Sequence, residues 1–184
     1  MKLVPLYCIL CILCLSLLAC SSEKGRLRKD LKAFEATEIT IPGDMLMIRE
    51  GMIHPWKHDS QRPTIIYYVG PKECSDCRIS HLMEMEDLFH LVPDTGQYQC
   101  MIVLSPKQEE MDVIKSKLLL IPFKEPVYLD IYSEFTEKNL IPEDVRMHCF
   151  LIDTTGHPIL VGNPVGNEKM YQLYVNMLNK DQKQ

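Results

Sequence analysis

The sequence predicts an α/β fold in which a mixed central sheet is flanked by helices. From residue 64 onward, short β-branched and aromatic runs alternate with runs whose apolar residues recur every three or four positions. Strands that alternate with helices pair in parallel through crossover connections. A hairpin pattern near residue 155 adds antiparallel strands to that sheet. These observations together indicate a mixed sheet covered by helices.

Each predicted strand is bounded by turn residues. Residues 64–69 read Thr-Ile-Ile-Tyr-Tyr-Val between Pro63 and Gly70-Pro71, which is typical of a central strand. The same reasoning places further strands at residues 98–105 and 126–131, and a hairpin at residues 148–153 and 158–162. Before residue 64 we expect an edge strand at residues 34–41 and an extended segment at residues 45–53.

The helices are predicted from apolar spacing. Ile79, Leu82, Met85, Phe89 and Val92 lie three or four residues apart, which predicts a helix over residues 75–91. A second helix is predicted over residues 109–120, and a last one begins after Asn167, whose side chain can cap it. The buried stripe of this last helix is predicted to consist of Met170, Leu173, Tyr174 and Met177.

The charge of the chain argues against nucleic acid as a partner. It carries 20 Lys and Arg against 25 Asp and Glu, for a net charge of -5. Proteins that bind the phosphate backbone depend on clustered basic residues to displace counterions. We therefore expect no nucleic-acid partner.

The first nineteen residues have the composition of a secretory signal. Sixteen of them are apolar and Lys2 carries the only charge. Leu17-Leu18-Ala19-Cys20 resembles the lipobox of bacterial lipoproteins, in which the cysteine is acylated and becomes the new N-terminus. The resemblance implies a signal peptide at residues 1–19, a lipid on Cys20, a tether at 20–33 and a domain with an N-terminal extension at 34–184. The protein would then be exported to a bacterial cell envelope, on the periplasmic or outer surface, and held to a membrane by its lipid. An uncleaved signal anchor is the alternative.

The most informative motif is Cys74-Ser75-Asp76-Cys77, at the point where a strand ends and a helix begins. This position puts the first sulfur at the helix N-terminus, where the dipole and free N–H groups stabilise a thiolate. The second sulfur lies one turn further on, near enough to close a disulfide. The spacing therefore favours thiol chemistry at Cys74 and Cys77.

Around this motif the sequence resembles the thioredoxin-like superfamily, in particular membrane-attached thiol-disulfide oxidoreductases of the TlpA/ResA type. The matching segments are Cys74–Arg78, Pro126–Asp130 and Phe150–Asp153 followed by Gly156, and the resemblance covers about residues 64–178. It implies a thioredoxin-like three-layer sandwich and exchange of disulfides with a protein. Cys74 would be the attacking thiol and Cys77 the resolving thiol. It further implies a membrane electron donor or acceptor, and no cofactor besides a redox-active Cys74–Cys77 disulfide.

The sequence departs from the family at three positions near the cysteines. Met147-His148-Cys149 stands where the family has a cis-proline, Glu73 replaces a tryptophan, and Tyr68 replaces the polar residue six positions before the first cysteine. Negative charge at Glu73 and Asp76 is expected to oppose thiolate formation at Cys74, while Arg78 favours it.

These departures leave two alternatives to disulfide exchange. In an oxidising compartment the cysteines can form a purely structural disulfide, and the domain would then be a redox-inactive binding module. Alternatively, Cys74 and Cys77, together with His148 or Cys149, form a copper or zinc site in a metal-delivery protein. Because side chains alternate along a strand, only one of His148 and Cys149 is expected to face the cysteine pair.

Overall fold

A computed structural model of the chain describes residues 23–55, 59–80, 82–92 and 96–180. The predicted signal peptide at 1–19 and the predicted lipid site Cys20 lie outside these ranges. Within them, no helix combines the length and the apolar character needed to cross a membrane.

The described residues form a seven-stranded mixed sheet, which confirms the predicted fold class. The strands are β1 (Leu46–Arg49), β2 (Met52–His54), β3 (Thr64–Val69), β4 (Gln99–Leu104), β5 (Val127–Leu129), β6 (Cys149–Ile152) and β7 (Pro158–Val161). Their order across the sheet is β2-β1-β5-β4-β3-β6-β7. The neighbours β3, β4 and β5 are parallel, and the closing hairpin β6-β7 lies antiparallel to β3.

Helices cover both faces of the sheet and make it the middle layer of three. They are α1 (23–35), α2 (Ser75–Ser80), α3 (Glu86–His90), α4 (Met111–Leu120), α5 (Glu134–Lys138) and α6 (Glu168–Lys180). Side chains of α2, α3, α4 and α6 pack on one face with Ile65, Tyr67 and Val69. Phe34 of α1 and Phe135 of α5 pack on the other face. This is the arrangement of a thioredoxin-like sandwich.

Two predictions before residue 64 need correction or refinement. The edge strand predicted at residues 34–41 is wrong, because residues 23–35 are helical and residues 36–42 contain no strand. Leu27, Leu31 and Phe34 already show the helical spacing. The predicted 20–33 tether is therefore helical from residue 23. The extended segment at 45–53 is a hairpin, in which Glu50 and Gly51 both adopt positive φ to make a tight turn between β1 and β2.

The helix predicted over residues 75–91 is also wrong as a continuous element. It consists of α2, a 3₁₀ turn at Leu82–Met85, and α3. The tighter 3₁₀ turn changes which side chains face the sheet, so that Leu88 is buried and Phe89 only partly so. In α6 the Asn167 cap is confirmed by its bond to the Met170 N–H at 3.3 Å. Leu173, predicted to be buried there, is exposed.

Candidate functional site

The turn after β3 presents the cysteine pair at the carboxyl end of the parallel strands. Gly70 and Pro71 end β3, and the Glu73 N–H donates to the Gly70 carbonyl at 3.0 Å. A Cβ at residue 70 would lie 2.9 Å from the Tyr68 hydroxyl, so a larger residue there would displace the Tyr68 ring. The Arg78 N–H then donates to the Cys74 carbonyl at 3.1 Å and begins α2. Cys74 therefore lies at the start of this helix, as the motif predicts.

Cys74 and Cys77 form a disulfide with their Cα atoms 5.3 Å apart. Both residues are exposed, so a thiolate from another molecule can approach the bond. The Cys77 N–H donates to the Cys74 sulfur at 3.2 Å. After reduction, the same N–H group would stabilise a thiolate on Cys74 in preference to a thiol.

Glu73, immediately before the pair, is a partly buried carboxylate with three hydrogen-bonding partners. It accepts from the Gly70 N–H at 3.1 Å, from Arg78 at 3.2 Å and from the His148 ring at 2.7 Å. Burial by itself would raise the pKa of Glu73, but the bonds from His148 and Gly70 outweigh it, together with the positive charge nearby. The pKa of Glu73 therefore lies below its usual range, and the residue is ionised at neutral pH.

His148 lies in the Met147–Cys149 segment, which stands where the resembling family has its cis-proline. No peptide bond in the described residues is cis. Besides its contact with Glu73, the His148 ring bonds the Pro142 carbonyl oxygen through Nε2 at 2.8 Å. The backbone carbonyl of His148 in turn accepts from the Tyr68 N–H at 2.8 Å.

The other charges beside the pair are matched as well. Asp76 forms an ion pair with Lys117 of α4, and Lys72 forms one with Glu143. The acids that were expected to oppose a Cys74 thiolate thus each have a cationic partner. Their effect on Cys74 is offset, whereas the helix N-terminus and the Cys77 N–H still favour the thiolate.

A mainly apolar pocket of about 410 Å³ opens beside the disulfide. It is lined by Tyr67, Val69, Glu73, Cys74, Cys77, Arg78, Leu82, Ile102, Leu104 and Val145. The Tyr68 hydroxyl faces the opposite side of the sheet, where it lies 2.9 Å from Thr136, and the Tyr68 ring lies 5.2 Å from the ring of His148. The neighbouring Tyr67 lines the pocket instead. The alternation of side chains along β3 was the signal that could have identified it.

The two other cysteines of the domain are buried in the core. Cys149 is fully buried with its sulfur 3.7 Å from the Tyr174 hydroxyl, and burial raises its pKa to about 12. Burial likewise raises the pKa of the Cys100 thiol. Cys100 is on β4 and Cys149 on β6, with β3 between them. Strands in a sheet are about 4.8 Å apart, so these two cysteines are too distant to form a disulfide with each other.

The alternative metal site is not assembled in the disulfide form of the pair. The sulfurs of Cys74 and Cys77 are bonded to each other, and both nitrogens of His148 are held by Glu73 and Pro142. As alternation along the strand predicts, Cys149 faces Tyr174 in the core rather than the pair. Among the described residues, no three metal-ligating side chains converge.

No protein-family model matches the chain, and no curated protein matches its sequence. Solved structures with a similar fold include a candidate protein disulfide isomerase from Bacteroides thetaiotaomicron, at 18% identity and a TM-score of 0.47, covering 80% of this chain and 93% of that one. A thioredoxin-like protein from Porphyromonas gingivalis matches at 16% identity and a TM-score of 0.46, covering 79% and 95%. The exposed lipoprotein thioredoxin of Streptococcus pneumoniae matches at 15% identity and a TM-score of 0.45, covering 73% and 100%. At these values the likeness is one of fold.

Proposed function

We propose that this protein of thioredoxin-like fold exchanges disulfides with a protein partner through Cys74 and Cys77. The observation that carries the proposal is the exposed Cys74–Cys77 disulfide at the junction of β3 and α2. A disulfide whose role is only to stabilise the fold gains nothing from exposure. A disulfide that reacts with another protein requires it.

In the reducing direction, the Cys74 thiolate attacks one sulfur of a partner disulfide and releases the other sulfur as a thiolate. The Cys77 thiolate then attacks the Cys74 sulfur, which re-forms the Cys74–Cys77 bond and frees the second partner sulfur. Two electrons pass to the partner, and a membrane donor restores the dithiol. The reverse sequence oxidises a partner dithiol and passes the two electrons to a membrane acceptor.

The surroundings of the pair support Cys74 as the nucleophile. Its sulfur already receives the Cys77 N–H, and the carboxylates on either side are held by Arg78, His148 and Lys117. Cys149 and Cys100 are unsuited to this role because they are buried and their pKa values are raised.

The proposal includes an anchored location. Residues 1–19 would be removed as a signal peptide and Cys20 acylated, which would hold the domain at a membrane of a bacterial cell envelope. Metabolic labelling with a fatty acid tests this step. The wild-type chain should incorporate the label and Cys20→Ala should not. Equal labelling of the two chains would show that the lipid is not on Cys20.

The exchange reaction is tested by trapping. Cys77→Ser should accumulate a mixed disulfide between Cys74 and its partner, because the thiol that resolves this intermediate has been removed. The matched control is Cys149→Ser, which removes a buried cysteine and should trap nothing. The double variant Cys74→Ser/Cys77→Ser should also trap nothing. If Cys77→Ser yields no mixed disulfide and the double variant is silent in function, the protein is a redox-inactive binding module.

A further inference from the structure

The helix α1 has two chemically different sides. Its inner side carries Leu27 and Phe34, and Phe34 is 2% exposed with its ring 5.0 Å from that of Phe150. The acids on this side also turn toward the domain, and Glu23 pairs with Arg146 at 3.3 Å. The outer side carries four exposed basic residues, Lys24, Arg28, Lys29 and Lys32. Residues 24, 28 and 32 are four apart, so they form one continuous line along the helix.

This basic line contrasts with the rest of the domain. Residues 23–35 contain five basic and three acidic residues, whereas residues 36–184 contain 14 basic and 22 acidic residues. Glu35, at the far end of α1, is the one exposed acid on the outer side of this helix. The outer side of α1 is therefore a cationic strip on an anionic protein.

The position of α1 in the chain places its basic outer side next to the proposed membrane anchor. The helix begins three residues after Cys20. In both interpretations of the leader, a lipid on Cys20 or an uncleaved signal anchor, the chain leaves the membrane close to residue 20. Three residues span at most about 10 Å. The strip thus begins at the bilayer surface, and anionic headgroups attract juxtamembrane basic residues.

We infer that the outer side of α1 docks on an anionic phospholipid bilayer and fixes the orientation of the domain above it. The inner side of α1 lines a pocket together with residues from the 140–146 segment, and Glu23 pairs with Arg146 across it. That segment leads directly to His148 and also holds Lys72 through Glu143. One helix and one loop would then separate the cysteine pair from the membrane, which keeps the pair close to partners at the bilayer. The inference depends on the proposed anchoring at residue 20 and is independent of the exchange reaction.

The test measures how fast individual lysines are acetylated in the full-length chain bound to vesicles. The acetylating reagent is uncharged, so that the surface charge of the vesicle does not change its local concentration. Vesicles of phosphatidylcholine alone are compared with vesicles that contain about 30 mol% phosphatidylglycerol. We expect Lys24, Lys29 and Lys32 to react at least about threefold more slowly in the anionic vesicles, and to regain their rates in about 0.5 M salt. Lys124, which follows α4, and Lys169, which lies in α6, are exposed and belong to the opposite face of the sheet, and they should react equally in both. Equal rates for the α1 lysines in the two kinds of vesicle would overturn the inference.

A charge-reversal pair tests whether the strip itself is responsible. Arg28→Glu/Lys29→Glu should restore the reactivity of Lys24 and Lys32 in anionic vesicles, while the matched pair Lys124→Glu/Lys169→Glu should leave their protection intact. Protection that survives Arg28→Glu/Lys29→Glu would also overturn the inference. Flotation of the chain with vesicles distinguishes a failure of docking from a failure of anchoring. A chain that floats with vesicles without protection of α1 is anchored but not docked, and a chain that does not float contradicts the anchoring and the docking together. Neither result bears on trapping by Cys77→Ser.

Discussion

Removal of the His148 ring should be among the most destabilising changes near the cysteine pair. The His148 side chain is 10% exposed and that of Glu73 is 11% exposed, so the bond between them is largely shielded from water. His148→Ala deletes this charge-assisted bond and the bond to the Pro142 carbonyl. It also removes the ring that packs 5.2 Å from the ring of Tyr68.

The expected loss of unfolding free energy depends on which hydrogen-bonding partners Glu73 keeps. A hydrogen bond to a charged group contributes about 1.5–3 kcal/mol, and breaking a buried pair by removing one partner costs about 3–5 kcal/mol. Glu73 would keep the Gly70 N–H and Arg78, whose side chain is 42% exposed and compensates only in part. We therefore expect His148→Ala to lower the free energy of unfolding by about 3 kcal/mol near neutral pH.

The pH dependence of this loss has a defined sign. Because the folded-state pKa of Glu73 is lowered from 4.5, its ionised form contributes stability that is fully present above the unfolded-state value. That contribution disappears as the pH falls through the lower, folded-state pKa. The stability difference between the wild type and His148→Ala should therefore be constant between about pH 5 and pH 6 and should shrink below about pH 4.

The assay is urea unfolding of both chains across this range of pH, with His90→Ala as the matched control. His90 is an exposed histidine at the end of α3, and its replacement should change the stability by no more than about 0.5 kcal/mol. If His148→Ala costs no more than His90→Ala, the Glu73–His148 pair does not stabilise the turn that carries the cysteines.

Three further predictions concern other parts of the fold. Ser75 has a buried hydroxyl for which the described residues offer no hydrogen-bonding partner, so Ser75→Ala should leave the melting temperature unchanged or raise it, and a clear drop would reveal a partner. After reduction of the folded protein, Cys100 and Cys149 should resist alkylation at neutral pH until the chain is unfolded, because burial raises the pKa of both thiols; fast labelling in the native state would contradict their placement in the core. Phe34→Ala should cost about 3–5 kcal/mol of unfolding free energy by removing the contact with Phe150, and it should make α1 sensitive to protease; unchanged resistance would show that α1 is held by other contacts.

The sheet was largely predictable from the sequence because its strands are short, β-branched and bounded by turn residues. Residues 64–69 illustrate this, since every one of them is buried and Pro63 and Gly70 mark the limits of the strand. The cysteine motif was predictable for the same reason, because its position depends on where that strand ends. Local patterns were enough for these features.

The contacts that surround the pair could not be read from local patterns. His148 is 75 residues from Glu73, and only the antiparallel pairing of β6 with β3 brings the two together. Likewise, most of α1 was predicted as a tether from its place directly after the lipobox, and its helical spacing becomes meaningful only once Phe34 is seen against Phe150. Long-range pairing of this kind depends on the tertiary fold.

The proposed exchange reaction requires Cys74 and Cys77 to be a redox-active pair. This requirement can be tested by a redox titration of the whole chain, with thiols trapped by a mass tag at each potential and mapped to individual cysteines. We expect a reversible two-electron transition confined to Cys74 and Cys77 between about -270 and -120 mV, where thiol-disulfide exchange proteins lie. A pair that stays oxidised below about -300 mV would behave as a structural disulfide and would contradict the proposed function.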